Sequence, residues 1–299
     1  MKYALYLGCQ IPARLSQYEY SARAVLRKLT VELVDIKEFN CCGYPLRSFD
    51  FRTFVFSAAR NLALAARAEL DMIVLCKCCF GSLKKVEHLL HQDSAWRDDI
   101  NGLLSKEGLR YTGDIEVRHL LSVLYHQVGL EAIKDKIEKP FHALKIAAHY
   151  GCHALRPSRI VQFDDPLAPS IFDQLVEATG AESISWAAQL ECCGAPLGGV
   201  NDELSMSLTE KKLTDAQRSG AEYLCTACSY CQLQFDVVQG IMVDRQGKDH
   251  GLAAILYPQL LGLSLGIPRD ALGFALHRLP ADDIEKYLAA EPQGEAAEA

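Results

Sequence analysis

Twelve cysteines dominate the chemistry this 299-residue chain can do, and they fall into two groups of six that share one spacing at five positions each. The first copy runs Cys9, then the adjacent pair Cys41-Cys42 before Gly43, then Cys76, Cys78 and Cys79. The second runs Cys152, then Cys192-Cys193 before Gly194, then Cys225, Cys228 and Cys231. Thirty-one residues separate Cys9 from Cys41 and thirty-nine separate Cys152 from Cys192; thirty-three lie between Cys42 and Cys76, and thirty-four between Cys193 and Cys228. The duplication reaches beyond the thiols. Cys-Cys-Gly-Tyr-Pro-Leu at 41–46 answers Cys-Cys-Gly-Ala-Pro-Leu at 192–197, and Gly8-Cys9 answers Gly151-Cys152.

Thiolates at chosen positions suit zinc, copper(I) or iron–sulfur clusters. A disulfide framework fits poorly, because adjacent cysteines have Cα atoms about 3.8 Å apart, below the usual disulfide range. A structural zinc takes four ligands, commonly from two C-x-x-C knuckles. Each half offers five thiols at matching positions: Cys9, Cys41, Cys42, Cys76 and Cys79, then Cys152, Cys192, Cys193, Cys228 and Cys231. Five exceed one tetrahedral ion and a simple cubane, and the usual ferredoxin spacings are absent. The count itself points to an iron–sulfur cluster of unusual shape, with neighbouring cysteines addressing different irons.

To bring thiols thirty residues apart onto one edge, the chain needs strands that deliver them in register. Strand-like segments are expected at Tyr3–Leu7, Val31–Ile36 and Asp71–Leu75, each followed by cysteine, with helices over Tyr18–Leu29, Phe51–Ala68 and Ser82–Leu90. The second half repeats this, with strands at Lys145–Ala148, before Cys192, and at Ala221–Leu224 ending on Cys225. Its helices are expected over Ile171–Thr179 and Asn201–Ser219. Strands alternating with helices predict an α/β fold: two pseudo-symmetric repeats, each a small parallel sheet with flanking helices. Ligands bind at the carboxyl ends of such strands, and the cysteine groups map to that rim. Residues 1–140 form the expected first domain, with a helical insert and linker at 94–140, and 141–290 the second. The small, acidic stretch 291–299 reads as a disordered tail.

Composition narrows the function classes. A formal charge of −7 argues against a nucleic-acid binder. Met1-Lys2 leads straight into a short apolar run with no small-residue cleavage site, and the most apolar stretch, Leu252–Ile267, is broken by Pro258, Gln259 and two glycines. The expected compartment is the cytoplasm, where thiols more often bind metal or do redox work than pair. No G-x-G-x-x-G follows a strand, so no flavin or nucleotide fingerprint is present.

The doubled C-x31–39-C-C-G-x33–34-C-x-x-C pattern resembles the two CCG domains of the B-subunit family of heterodisulfide reductases. The contexts Cys79-Phe-Gly-Ser-Leu-Lys84, Cys228-Ser-Tyr-Cys231-Gln-Leu-Gln and Leu256-Tyr-Pro-Gln-Leu-Leu-Gly-Leu-Ser-Leu-Gly266 resemble it as well. The resemblance implies two noncubane [4Fe-4S] clusters, one on each set of five cysteines, that reductively cleave a disulfide placed between them. It also implies a ferredoxin-type partner with [4Fe-4S] clusters, like the small C-type subunit of that family's complexes, and a flavin-containing protein like their A-type subunit behind it. Cys78 and Cys225 lie outside the pattern, as substitute ligands or as spare thiols packed beside a cluster. Two alternatives stay open: one [4Fe-4S] cluster with a zinc in the other half, and an electron-transfer, quinone-linked subunit of a succinate or fumarate reductase-like complex. Beyond the ligands, His153 is a candidate proton donor, its unperturbed pKa lying near neutrality. Arg14 and Arg156, with Arg47, Lys77, Lys84 and Lys85, are candidate contacts for an anionic substrate.

Overall fold

The computed structural model describes residues 1–246 and 251–289, so the expected tail at 291–299 lies outside the described residues. Eight short strands form two sheets. The first contains β1 (Lys2–Tyr6), β2 (Glu32–Val34), β3 (Met72–Val74) and β4 (Val117–His119) in the order β2-β1-β3-β4. The second contains β5 (Lys145–Ala148), β6 (Glu182–Ser183), β7 (Tyr223–Thr226) and β8 (Ala254–Leu256) in the order β6-β5-β7-β8. Every pairing is parallel. Parallel neighbours need crossovers, and helices supply them. In the first half these are Ser16–Lys28, Phe51–Arg67 and Lys77–Gln92, the last followed by Ser94–Leu104. Ile171–Glu177 and Asp202–Arg218 repeat the first two.

The repeat is legible in the caps. Asp50 accepts a hydrogen bond from the Thr53 N–H at 3.0 Å and so starts helix Phe51–Arg67, whose Phe54, Val55, Ala58, Ala59 and Leu62 pack inward. Asn201 does the same for the Leu204 N–H, also at 3.0 Å, at the head of helix Asp202–Arg218. In both sheets the strand order reverses between the first and third strands of the repeat. That reversal opens a crevice at their carboxyl ends.

Three details differ from the sequence reading. The stretch 94–140 is not all helix, because it carries β4, the strand that completes the first sheet. The third helix begins at Lys77 rather than Ser82, which places Cys78 and Cys79 in its first turn. Cys225 lies inside β7 rather than beyond it, fully buried under the sheet's neighbours. The apolar stretch 252–267 is absorbed by β8 and by the buried helix Tyr257–Ser264, which packs against helix Ser16–Lys28 of the other half. Among the described residues no helix is long and apolar enough to cross a membrane.

The glycine of each Cys-Cys-Gly turn has a steric reason. Gly43 and Gly194 adopt φ of 77° and 91°, where side chains other than glycine are strained. A Cβ on Gly43 would sit 3.0 Å from the Phe54 carbonyl oxygen, and one on Gly194 would run into that of Ser205. Gly194→Ala is therefore expected to cost at least about 2 kcal/mol. A thermal melt of the variant beside the parent checks it, and an unchanged melting temperature would contradict the account.

Candidate metal centre

The rim of each sheet gathers its thiols in the same order. After β1 comes Cys9, after β2 the Cys41-Cys42 turn, and after β3 Cys76, which caps the helix carrying Cys79. After β5, β6 and β7 come Cys152, Cys192-Cys193, and Cys228 with Cys231. Through space, the Cys9 thiol neighbours that of Cys41, Cys41 neighbours Cys42, Cys42 neighbours Cys79, and Cys79 neighbours Cys76. The C-terminal set repeats this as Cys152, Cys192, Cys193, Cys231 and Cys228. The two chains of contact join where Cys76 Sγ lies 3.9 Å from Cys228 Sγ. All ten thiols that the pattern selected thus form one continuous line, and the two halves meet at its middle.

The spacing suits a shared metal. Cys9 and Cys41 sulfurs are 3.6 Å apart. Two thiolates on one tetrahedral ion, with metal–sulfur bonds of about 2.3 Å, stand roughly 3.8 Å apart. Soft, all-sulfur donors select zinc or iron–sulfur groups, and five per half exceed what one zinc accepts. The donor set therefore fits the iron–sulfur reading.

Local electrostatics prepare one thiolate in each half. The neighbouring thiols of Cys42 and Cys9 hold Cys41 down to about 3, and those of Cys152 and Cys193 hold Cys192 down to about 2. Cys42 and Cys193 are pushed up to about 12, mainly by the adjacent Cys41 and Cys192. A metal entering such a set displaces protons from the raised thiols.

The two thiols outside the pattern part company. Cys78 joins the meeting point, its sulfur grouped with those of Cys76 and Cys228 within 4.8 Å. Burial raises Cys225 and no thiol reaches it, so the structure does not bring it to the rim as a substitute ligand.

Among the other candidates, His153 is drawn into the centre. Its Nδ1 lies 3.4 Å from the sulfurs of both Cys152 and Cys78, so it bridges the two halves. A Cβ on Gly81 would lie 2.7 Å from the His153 carbonyl oxygen, so only glycine lets helix Lys77–Gln92 approach this closely. Tyr44 meets the His153 ring edge-on at 5.2 Å, Tyr230 lies 6.0 Å from Tyr44, and the Arg47 guanidinium stands 5.0 Å over Tyr44. Arg14 and Arg156 are exposed and form no hydrogen bond or ion pair with a thiol among the described residues. Lys84 is engaged by Glu87.

Sequence reasoning missed His149, Lys212 and His119, and gave Lys77 the wrong setting. Lys77 is fully buried, its Nζ 3.3 Å from the His149 carbonyl oxygen and 4.6 Å over the Phe172 ring. His149 Nε2 lies 3.3 Å from Cys231 Sγ. Lys212 donates to the Ala188 carbonyl and stands 4.5 Å over Trp186. His119, at the end of β4, accepts the Leu121 N–H on Nδ1 at 3.2 Å, so Nε2 carries the proton. That Nε2–H is shared between the carbonyl oxygens of Leu75 at 3.2 Å and Ala227 at 3.1 Å, the residues just before Cys76 and Cys228.

Two parallel sheets presenting matched sets of five thiols define a duplicated cysteine-rich protein. The Cysteine-rich domain (CCG) family matches residues 3–84 and 146–236, once per half. The chain is 37% identical over 277 residues to the B subunit of the ferredoxin:CoB-CoM heterodisulfide reductase of Methanosarcina mazei, covering 91% of this chain and 92% of that one. It is 32% identical to the 8-methylmenaquinol:fumarate reductase membrane anchor subunit of Wolinella succinogenes, over 91% of this chain and 95% of that one. A solved structure of a hypothetical protein from Helicobacter pylori shares the fold, with a TM-score of 0.75 and 17% identity over 93% of this chain; this chain spans about half (52%) of that protein. The chain belongs to the B-subunit family of heterodisulfide reductases. Family membership supports iron–sulfur binding and an oxidoreductase role, and these named relatives are themselves subunits of larger assemblies.

Proposed function

We propose that this chain is the catalytic subunit of a heterodisulfide-reductase-like complex that reductively cleaves, or in reverse forms, a disulfide. It would hold one noncubane [4Fe-4S] cluster on Cys9, Cys41, Cys42, Cys76 and Cys79, and another on Cys152, Cys192, Cys193, Cys228 and Cys231. The observation that carries this reading is the 3.9 Å approach of Cys76 to Cys228, which sets two complete thiol sets against each other.

Splitting RS–SR′ takes two electrons and two protons. When bound, such clusters supply the electrons one at a time. The protein's own part is to hold the disulfide at the meeting point and to manage protons there. His153, 3.4 Å from both Cys78 and Cys152, can hold a proton where a product thiolate forms. Tyr44 and Tyr230, 6.0 Å apart, stand beside this point, with Tyr44 edge-on to His153. Burial holds His153 below the usual histidine range, with Arg47 and Lys85 also opposing its protonation, so it rests neutral; the same two cations suit a disulfide that carries anionic groups. Electrons then arrive from a ferredoxin-type protein of the C-subunit kind, fed by a flavin-containing protein of the A-subunit kind.

Iron, acid-labile sulfide and zinc content of anaerobically prepared protein tests the cofactor assignment. About eight irons and eight sulfides per chain are expected; four irons and a zinc would leave one half redox-inactive and end the paired-cluster reading. Turnover of a disulfide with a reduced viologen tests the reaction. The likeness to the Wolinella membrane anchor subunit favours a second reading, relay of electrons to or from a quinol. Oxidation of a menaquinol analogue without disulfide turnover would select it.

A further inference from the structure

The repeat relates three buried positions of the N-terminal centre to three of the C-terminal centre, and the exchange is unequal at each. Aligning Cys9 with Cys152 places Tyr6 opposite His149, aligning Cys42 with Cys193 places Asn61 opposite Lys212, and aligning Cys76 with Cys228 places Lys77 opposite Ser229. All six are buried. The polar groups on the N-terminal side are spent on backbone: the Tyr6 hydroxyl donates to the Asn40 carbonyl at 2.7 Å, and the Asn61 amide to that of Ser57 at 2.9 Å. On the C-terminal side only His149 meets sulfur directly, while the Lys212 ammonium donates to the Ala188 carbonyl and lies in the field of that half's thiols. His149 Nε2 is 3.3 Å from Cys231. Lys77, although it belongs to the N-terminal half, packs its methylenes on Gly151 and lines one cavity with Cys152, Cys193, Cys228 and Cys231. Among the described residues neither Lys77 nor Lys212 has a carboxylate within ion-pair distance. Burial lowers both amines to about 8, while the thiols of Cys231 and Cys228 around Lys77, and of Cys231 and Cys193 around Lys212, pull the other way and favour the charged form.

Buried positive charge and N–H donors beside cluster ligands stabilise the extra negative charge that reduction brings, and so raise the reduction potential. We infer that the two thiol sets hold their clusters at different potentials, the set of Cys152, Cys192, Cys193, Cys228 and Cys231 accepting an electron before the set of Cys9, Cys41, Cys42, Cys76 and Cys79. The inference rests on the two-cluster reading above. It makes Lys77, Lys212 and His149 positioning residues that order electron uptake across a site that is symmetric in its ligands.

The test is an anaerobic titration of the full chain with dithionite, followed by electron paramagnetic resonance, after iron and sulfide have been counted. Two couples are expected, separated by at least tenfold in reduction equilibrium, which is about 59 mV for one electron. Cys76→Ser is expected to remove the lower couple and leave the upper. Lys212→Met and His149→Phe are expected to shift the upper couple down at least tenfold with the lower unmoved, and His149→Gln, which keeps an N–H donor, to retain it. With about eight irons present, a single potential for both clusters, or an upper couple indifferent to these variants, overturns the inference alone. Fewer than two clusters in the iron count overturns the two-cluster reading and the inference with it.

Discussion

Cys76→Ser is expected to halve the iron content, from about eight to about four per chain, and to lower disulfide turnover by more than about a hundredfold. Loss of groups that merely support metal ligands already costs 10–100-fold, and Cys76 is both a proposed ligand and the contact with Cys228. The comparison variants are Cys78→Ala and Cys225→Ala. Both are expected to keep their iron, Cys225→Ala because no thiol reaches that residue and Cys78→Ala because each set holds five thiols without it, and Cys225→Ala should cost only about 1 kcal/mol as a small cavity in β7. Iron content by colorimetry and turnover with a reduced viologen read both effects. If Cys225→Ala lost iron and Cys228→Ala did not, the ligand assignment of the second set would be wrong.

The second large effect belongs to His119. Its Nε2–H ties the carbonyl before Cys76 to the carbonyl before Cys228, which fixes the two knuckles relative to each other. In His119→Phe the Ala227 carbonyl loses its side-chain donor, whereas the Leu75 carbonyl keeps the Tyr18 hydroxyl at 2.6 Å. An unmet buried acceptor costs about 1–3 kcal/mol, so the variant is expected to be less stable by that order. A pH signature separates this role from plain packing. Burial, with Lys77 opposing protonation and Cys228 favouring it, lowers His119 to about 3. A histidine whose folded pKa is depressed takes up its proton first in the unfolded chain. Its stabilisation is therefore whole above pH 6.5 and lost as pH falls towards 3, at about 1.4 kcal/mol per unit. Denaturant melts from pH 7.5 to 5 should show the parent losing about 2 kcal/mol more than His119→Phe. Parallel pH profiles would mean that His119 titrates normally and does not hold the knuckles as described.

How much of this was legible in the residues follows physical lines. Strands such as Lys145–Ala148 and helices such as Phe51–Arg67 announce themselves by apolar spacing and by Asp50 and Asn201 at the caps. The thiol sets were readable because metal ligation constrains residue type and spacing together. β4 was not, since three residues, Val117–His119, carry too little pattern and become a strand only by pairing with β3. The order of strands and the meeting of Cys76 with Cys228 depend on contacts between residues 152 positions apart, which no local pattern encodes. Lys212 did leave a trace. It falls on the inward face of its helix with Ser205, Thr209, Leu213 and Ala216, where a solvated lysine has no place. His149 could have been found by laying the repeats over each other and asking why a histidine replaces Tyr6.

Lys77 reaching into the pocket of the other repeat, Gly81 closing on His153, and His119 clasping both knuckles have an evolutionary consequence. A tandem duplication begins as two interchangeable copies, each able to serve as the template for the other. Once each copy lends residues to its sister's pocket, neither can be deleted, shuffled or replaced by a second version of its twin. A gene divided near the Lys139-Pro140 junction would yield two fragments that regain a working centre only by reassembling side by side.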